Sequence, residues 1–179
     1  MTDVTVWDGS TDDDWTDATN WSNGVPSTSK IASIPSGLGT YPDLASDCTV
    51  HALLVEAGAT LTGGSNITVY VTGESAGETG GPTNGYAIQL DGTISGELSF
   101  NITTPAATNV DLVPSSGQVH NLTINHASAV VNIRSAATTI GGDLTITAGE
   151  LDTQNSGSNL DLTVTGKTEI TSGTLTLNG

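Results

Sequence analysis

Short, similar segments recur along this chain, and this repetition limits its fold more than any other feature. Residues 158–166 (SNLDLTVTG) repeat residues 65–73 (SNITVYVTG). A shorter period is present too, because residues 143–151 (DLTITAGEL) align with residues 167–175 (KTEITSGTL) at a shift of 24. Short alternating strands that recur every twenty-odd residues and are closed by glycine are typical of the stacked coils of a β-solenoid.

The composition also favours strands over helices. The 179 residues include 22 Gly, 30 Thr and 18 Ser, which suit β-strands joined by tight turns. We therefore predict an all-β fold, a short right-handed parallel β-helix or β-solenoid with an N-terminal cap rich in tryptophan. The alternative is an antiparallel β-sandwich, favoured by the Asp91-Gly92 turn and by the strong alternation around Phe100.

The repeats suggest a division of the chain into a cap and two related halves. Residues 1–36 form the cap, and residues 37–179 form the coils, in halves of about 37–105 and 106–179. The lead-in LLVEAG, which starts at Leu53, returns as LTITAG at Leu144. Residues 74–85 have no counterpart in the second half, so we predict that they form an inserted surface loop, the usual place for contacts in repeat proteins.

All three tryptophans lie in the first unit, within a recognisable pattern. It reads WDG at residues 7–9, DW at 14–15, NWS at 20–22 and GVP at 24–26. This pattern resembles the start of β-helical modules in bacterial and phage surface proteins, which include adhesins, autotransporter-like passengers and virion appendages. The tryptophans are expected to cover the end coil of the solenoid, whose backbone and core would otherwise be exposed. The alternative is an aromatic platform that binds sugars.

The charge of the chain excludes several classes of partner. Nineteen acidic residues against three basic ones give a net charge of −16. Such a surface cannot neutralise phosphates, so nucleic acid is excluded and anionic membranes are disfavoured. No apolar run reaches the length of a membrane-spanning helix. The first residues resemble a strand and contain no secretory signal, so we expect no export through a signal peptide.

One acidic segment has the spacing of a cation site. Asp8, Asp12, Asp14 and Asp17 place carboxylates at intervals similar to those of a calcium loop. The glycine of the sharp turn and the distal glutamate of such loops are missing, so a solvated acidic turn is the competing interpretation. Calcium is the one cofactor that the sequence suggests.

No catalytic motif is recognisable elsewhere in the sequence. His51 and His120 occupy the same slot in two related strands, and neither they nor His126 have acidic or cysteine partners at metal-ligand spacing, so we interpret them as structural or surface residues. Cys48 stands alone and is expected to be a small buried residue. Arg134 and two lysines are too few for a lyase that acts on acidic polysaccharides.

Three functions are compatible with these features. The first is a non-enzymatic virion structural protein, a capsid decoration or head-fibre subunit on the particle exterior, which contacts other virion proteins such as a major capsid protein and forms a homo-oligomer, with a trimer favoured. The second is a surface adhesin or carbohydrate-binding module, extracellular or at the cell surface. The third is a polysaccharide-active β-helix enzyme with paired carboxylates. The strand at residues 174–177 has no cover in the sequence, which favours a role in assembly.

Overall fold

Parallel strands stack into three ladders, and the chain passes through the ladders in a repeating cycle. The computed structural model describes residues 2–75, 85–105, 107–112, 119–134, 137–155 and 158–177. These residues form a β-solenoid of about seven turns, so the predicted fold class is confirmed. Their one helical element is a single 3₁₀ turn, Ala18–Asn20.

The strands of the three ladders follow one another along each coil. Ladder 1 contains β1 (Asp3–Val6), β2 (Lys30–Ile34), β5 (Leu53–Val55), β8 (Tyr86–Leu90), β11 (Ala107–Asp111), the second parts of β12 (Val119–Ile133) and β14 (Leu144–Asp152), and β19 (Gly173–Thr176). Ladder 2 contains β4 (Cys48–Val50), β7 (Thr68–Val71), β10 (Leu98–Ile102), the first parts of β12 and β14, and β18 (Thr168–Ile170). Ladder 3 is described in two parts that occupy the same place in the cycle: β3 (Asp43–Leu44), β6 (Thr60–Gly63) and β9 (Thr93–Gly96) pair in one sheet, and β13 (Thr138–Ile140) pairs with β17 (Leu162–Val164) in another. A small antiparallel pair, β15 (Gln154–Asn155) and β16 (Ser158–Asn159), projects from the last turn.

Parallel pairing throughout the ladders rules out the β-sandwich. Phe100 lies between Val69 and Leu122, and both neighbouring strands run parallel to β10. The Asp91-Gly92 turn joins β8 in ladder 1 to β9 in ladder 3, so it turns a corner of the coil instead of closing a hairpin. The alternative fold considered from the sequence is therefore wrong.

The structural repeat is a single coil. Leu144 pairs with Thr168 and Leu151 pairs with Leu175, which confirms the predicted shift of 24 residues. The longer match behaves differently, because Leu53 lies in ladder 1 whereas its sequence counterpart Leu144 lies in ladder 2. The two long copies therefore share a strand and turn pattern without occupying equivalent places in the coil.

Stacked aliphatic side chains fill the interior. In ladder 2, one inward-facing residue of each coil pairs with the equivalent residue of the next coil, and these residues form a column that is fully buried in five coils. Its members are Val50, Val71, Ile102, Ile124 and Ile146. Alternation at period two explains the column, because every second residue of a strand points to the same side. β-branched residues fit this position well, since their stiff side chains pack against identical neighbours one coil away.

One coil is much longer than its neighbours, as the insertion predicted at residues 74–85 requires. Leu53 pairs with Ile88, 35 residues later, whereas Ile88 pairs with Val110, only 22 residues later. The extra residues lie between β7 and β8. Residues 76–84 of the predicted loop lie outside the described residues.

Glycine is required where the backbones of neighbouring coils meet at a corner. A Cβ on Gly92 would lie 2.5 Å from the carbonyl oxygen of Glu56 and 2.6 Å from that of Ala59. Gly149 has a positive φ of 92°, and a Cβ there would lie 2.6 Å from the carbonyl oxygen of His126. Both contacts are too short for any side chain, so these corners stack only as glycine.

Asparagine and aspartate side chains connect successive coils close to where the ladder 2 strands begin. The Oδ1 atom of Asp47 accepts a hydrogen bond from Thr68 N at 2.8 Å. In the same way Asn121 Oδ1 accepts from Asp143 N, and Asp143 Oδ1 accepts from Lys167 N, both at 2.7 Å. Each side chain satisfies a backbone donor of the following coil, a donor that the strand pairing leaves free.

The three tryptophans form a buried cluster at the N-terminal end. Trp7, Trp15 and Trp21 are 0%, 3% and 4% exposed, and Trp21 makes edge-to-face contacts with the other two at centroid distances of 5.1 and 4.8 Å. The indole nitrogens of Trp7 and Trp21 donate to the carbonyl oxygens of Thr40 and Trp15. The predicted burial of the tryptophans is confirmed, and buried rings of this kind leave no face for an aromatic sugar platform.

Truncation of the central tryptophan should therefore destabilise the fold. We expect Trp21→Ala to lower the free energy of unfolding by about 3 to 5 kcal/mol, because it leaves a large cavity in the cap. Tyr70→Ala, on the half-exposed outer side of β7, is the aromatic control and should cost about 1 kcal/mol or less. Urea denaturation measures both, and equal losses would contradict the cap.

Candidate functional site

The acidic segment predicted to bind calcium folds around a buried amide. Asn20 is fully buried, and its Oδ1 accepts hydrogen bonds from Thr11 N at 2.9 Å and Asp12 N at 3.2 Å. Its Nδ2 donates to Asp12 Oδ1 at 2.8 Å and to the carbonyl oxygen of Asp14 at 3.1 Å. The side-chain amide of Asn20 therefore connects three residues of the loop: Thr11, Asp12 and Asp14.

The four predicted ligands bind backbone N–H groups of their own loop. Oδ1 of Asp8, Asp12, Asp14 and Asp17 accepts from the backbone nitrogen two residues later in each case, at 2.8 to 3.0 Å. Hydrogen bonds from the hydroxyl and the backbone nitrogen of Thr19 lower the pKa of Asp17. Within the part of the chain that the structure describes, no three His, Cys, Asp or Glu side chains are grouped to hold a metal ion. The loop is held together by turn and cap hydrogen bonds.

The three histidines make separate local contacts. A ring nitrogen of His51 lies 3.0 Å from the carbonyl oxygen of Thr28, and His126 Nδ1 accepts from Ser128 N at 3.2 Å. His120 Nδ1 lies 3.3 Å from a carboxylate oxygen of Glu97. These contacts fit the structural or surface role predicted for the histidines. They correct the idea of a shared slot, since His51 lies at a corner and His120 within β12.

A groove of about 350 Å³ brings together carboxylates that the sequence keeps far apart. One wall is formed by residues 13–16 and the other by residues 43–48. The two segments meet because Asp43 N donates to the carbonyl oxygen of Asp13 at 2.8 Å and Asp14 bridges to Asp43. The groove thus contains Asp13, Asp14, Asp43 and Asp47, and its negative charge disfavours anions. Sequence reasoning missed this grouping, because no local pattern indicates which turn the N-terminal loop contacts.

Cys48 borders the same groove. Burial, followed by the nearby charge of Asp47, raises the pKa of the Cys48 thiol to about 12. The thiol therefore stays protonated at neutral pH, which disfavours a nucleophilic role. Cys48 is half-buried and packs against the core, so it is less buried than the sequence predicted.

A second groove, of about 210 Å³, lies on the outer side of ladder 1. Glu56 and Asp91 flank it, but both carboxylates have structural partners. Glu56 Oε2 accepts from Ser36 N at 3.1 Å, and Asp91 Oδ2 accepts from Gln89 Nε2 at 2.6 Å. These hydrogen bonds connect one coil to another or support a corner.

The last described coil is the most unusual surface of the molecule. Ile170 is 46% exposed and Leu177 is 64% exposed, whereas Ile146, which occupies the position of Ile170 one coil earlier, is fully buried. Within the described residues, β17, β18 and β19 each pair on one side only. In the strand at residues 174–177, which the sequence predicted to be uncovered, Leu177 is exposed whereas Leu175 is half-buried. We call this surface the open end; its apolar residues are Leu160, Leu162, Val164, Ile170, Leu175 and Leu177.

Comparison with known proteins adds no relative. No protein-family model matches the chain, and no curated protein or solved structure is significantly similar to it. Among the described residues, no helix has the length and apolar character needed to span a membrane.

Removal of divalent ions should leave the acidic segment intact. We expect a chelator such as EDTA to shift the melting temperature by less than about 2 °C, because the carboxylates are already bound by backbone donors. Asn20→Ala serves as the positive control. It leaves buried donors unpaired and should lower the melting temperature by several degrees. A fall of more than about ten degrees with chelator would establish a calcium site at Asp8, Asp12, Asp14 and Asp17.

The raised pKa of Cys48 predicts slow alkylation. At pH 8 its reaction with iodoacetamide should be on the order of a thousandfold slower than that of an unfolded chain, because only the thiolate reacts. The rate should rise about tenfold per pH unit from pH 8 to 10, since the folded thiol titrates only near pH 12. Mass spectrometry follows the single thiol, and the same chain in urea is the control. Equal rates in the two states would contradict the assignment.

Proposed function

We propose that this chain is a non-enzymatic structural subunit of a virion exterior, a capsid decoration or head-fibre protein. Its open end sits on another virion protein such as a major capsid protein. Several copies are present on the particle, with a homotrimer as the favoured unit. The surface adhesin or carbohydrate-binding module is the main alternative, because a solenoid of this kind supports both roles.

The observation that carries the proposal is the contrast between the two ends of the solenoid. The N-terminal end is sealed by Trp7, Trp15 and Trp21, whereas the open end leaves apolar side chains and strand edges uncovered in the described residues. Unpaired strand edges bind other chains readily, and monomeric proteins protect them. A solenoid with one sealed and one open end is therefore suited to being seated on a partner.

The low net charge of the open end also favours its contact with a partner protein. Residues 159–177 carry only Asp161, Lys167 and Glu169, and the last two form an ion pair. The local net charge is thus −1, in a chain whose total is −16. A nearly neutral, apolar end approaches another protein surface with little electrostatic cost, while the acidic remainder keeps the subunit soluble.

A binding assay with assembled particles tests the proposal. The purified chain is mixed with particles made from the capsid protein encoded nearest to its gene, and binding is measured by co-sedimentation and cryo-electron microscopy. Ile170→Asp with Leu177→Asp should weaken binding about 10- to 100-fold, since each change places a charge in an apolar contact. Thr60→Asp with Thr93→Asp, on the outer side of ladder 3, is the control and should bind as the unmodified chain does.

Two results would contradict the proposal. One is equal binding of the open-end variant and the control variant. The other is the absence of particle binding together with specific binding to a cell-surface polysaccharide, which would support the adhesin alternative.

A further inference from the structure

One side of the solenoid is free of fixed charge across five successive coils. It consists of the strands of ladder 2 and the corners that follow them, at residues 48–52, 67–73, 98–105, 119–129 and 144–148; we call it the neutral face. These 36 residues contain no Asp, Glu, Lys or Arg. At the 12% share of charged residues in the whole chain, about four would be expected. The three histidines of the chain also lie here.

From this distribution we infer that the neutral face is where copies of this chain contact one another side by side. Two chains of charge −16 repel each other in most orientations. Ladder 1 carries Asp3, Lys30, Asp111, Glu150 and Asp152 on its strands. The strands of ladder 3 carry only Asp43, but they lie between two charged corners, one with Glu56 and Asp91 and the other with Asp47, Glu97 and Asp143. The neutral face lets two flanks approach without placing like charges opposite each other. Depletion of charge is also the compositional mark of interface centres.

The chemistry of the neutral face suits contact with an identical surface. Its outward residues form a column in register, one from each coil and each half-exposed: Thr49, Tyr70, Asn101, Thr123 and Thr145. Hydroxyl groups both donate and accept hydrogen bonds, so the threonines of the column can bind the same residues of a second copy. Tyr70 adds a ring of the type enriched at protein interfaces. In the next coil the column meets Glu169, so the neutral face ends one coil before the open end.

The size of the neutral face determines how strong this contact is. Five coils about 4.8 Å apart span roughly 24 Å, and six strand residues span roughly 20 Å. The contact therefore covers about 500 Å² per copy, below the 800 Å² or so of a standard stable interface. In dilute solution the copies should associate weakly, with dissociation constants near or above about 100 µM. On a shared support the effective concentration rises and the same contact becomes firm.

The inference supplies the lateral contact for the several copies in the proposed function, and it uses a surface separate from the open end. Sedimentation equilibrium on the full chain, up to about 1 mM and in 20 to 500 mM NaCl, measures the self-association of the chain. We expect association that strengthens at least about tenfold with salt, because salt screens the repulsion of the acidic remainder. Thr123→Asp with Thr145→Asp, a pair in direct register, should weaken it at least about tenfold.

The matched control is Thr60→Asp with Thr93→Asp, also in direct register but on ladder 3, which should change association by less than about threefold. Ile170→Asp, which places a charge on the open end, should leave the self-association constant unchanged. A chain that stays monomeric at every concentration and salt would overturn the inference. So would association that survives the Thr123 and Thr145 changes or is lost with Ile170→Asp. Particle docking without self-association would refute this inference alone, and self-association without docking would refute the proposed function alone.

Discussion

The structure depends on the hydrogen-bonded stacking of one coil on the next. Parallel pairing holds neighbouring coils about 4.8 Å apart, so each inward side chain must fit directly above an equivalent one. The column from Val50 to Ile146 meets this requirement with residues of similar shape. The outward side chains are stacked in the same way, which explains why whole sides of the solenoid share one chemical character. The neutral face follows from this stacking of similar residues in successive coils.

The corners limit sequence variation more strictly than the strands do. Strand positions inside the solenoid accept Val, Ile, Leu or Phe, because each fills the interior. At a corner, by contrast, Gly92 and Gly149 face the carbonyl oxygens of the coil before them. Near the start of ladder 2, Asn121 and Asp143 bind backbone donors of the coil after them. These contacts determine the length of each coil, and through it the register of all three ladders.

The local periodicity of the sequence made the fold class predictable. The long-range arrangement of the coils could not be predicted from it. The shift between residues 143–151 and 167–175 is a true coil repeat, since the aligned residues pair directly. The match between Leu53 and Leu144 wrongly predicted equivalent places in the coil, because corners and strands of similar composition occur in more than one ladder. The buried tryptophans could be predicted from their bulk and spacing. The acidic groove could not, because it depends on which distant turn the N-terminal loop contacts. The column on the neutral face could not be predicted either, because identifying its members requires the pairing register of the ladder 2 strands.

The open end also has a consequence for motion. In a linear stack each coil is stabilised chiefly by its immediate neighbours, so of the described coils the one that pairs on a single side opens most readily. Opening should therefore begin at β17, β18 and β19 and move inward, while the tryptophan cluster holds the opposite end closed. Amide exchange would then fall from the open end towards the cap. A partner seated on the open end would supply the missing neighbour, and its binding energy would appear as slower exchange several coils away.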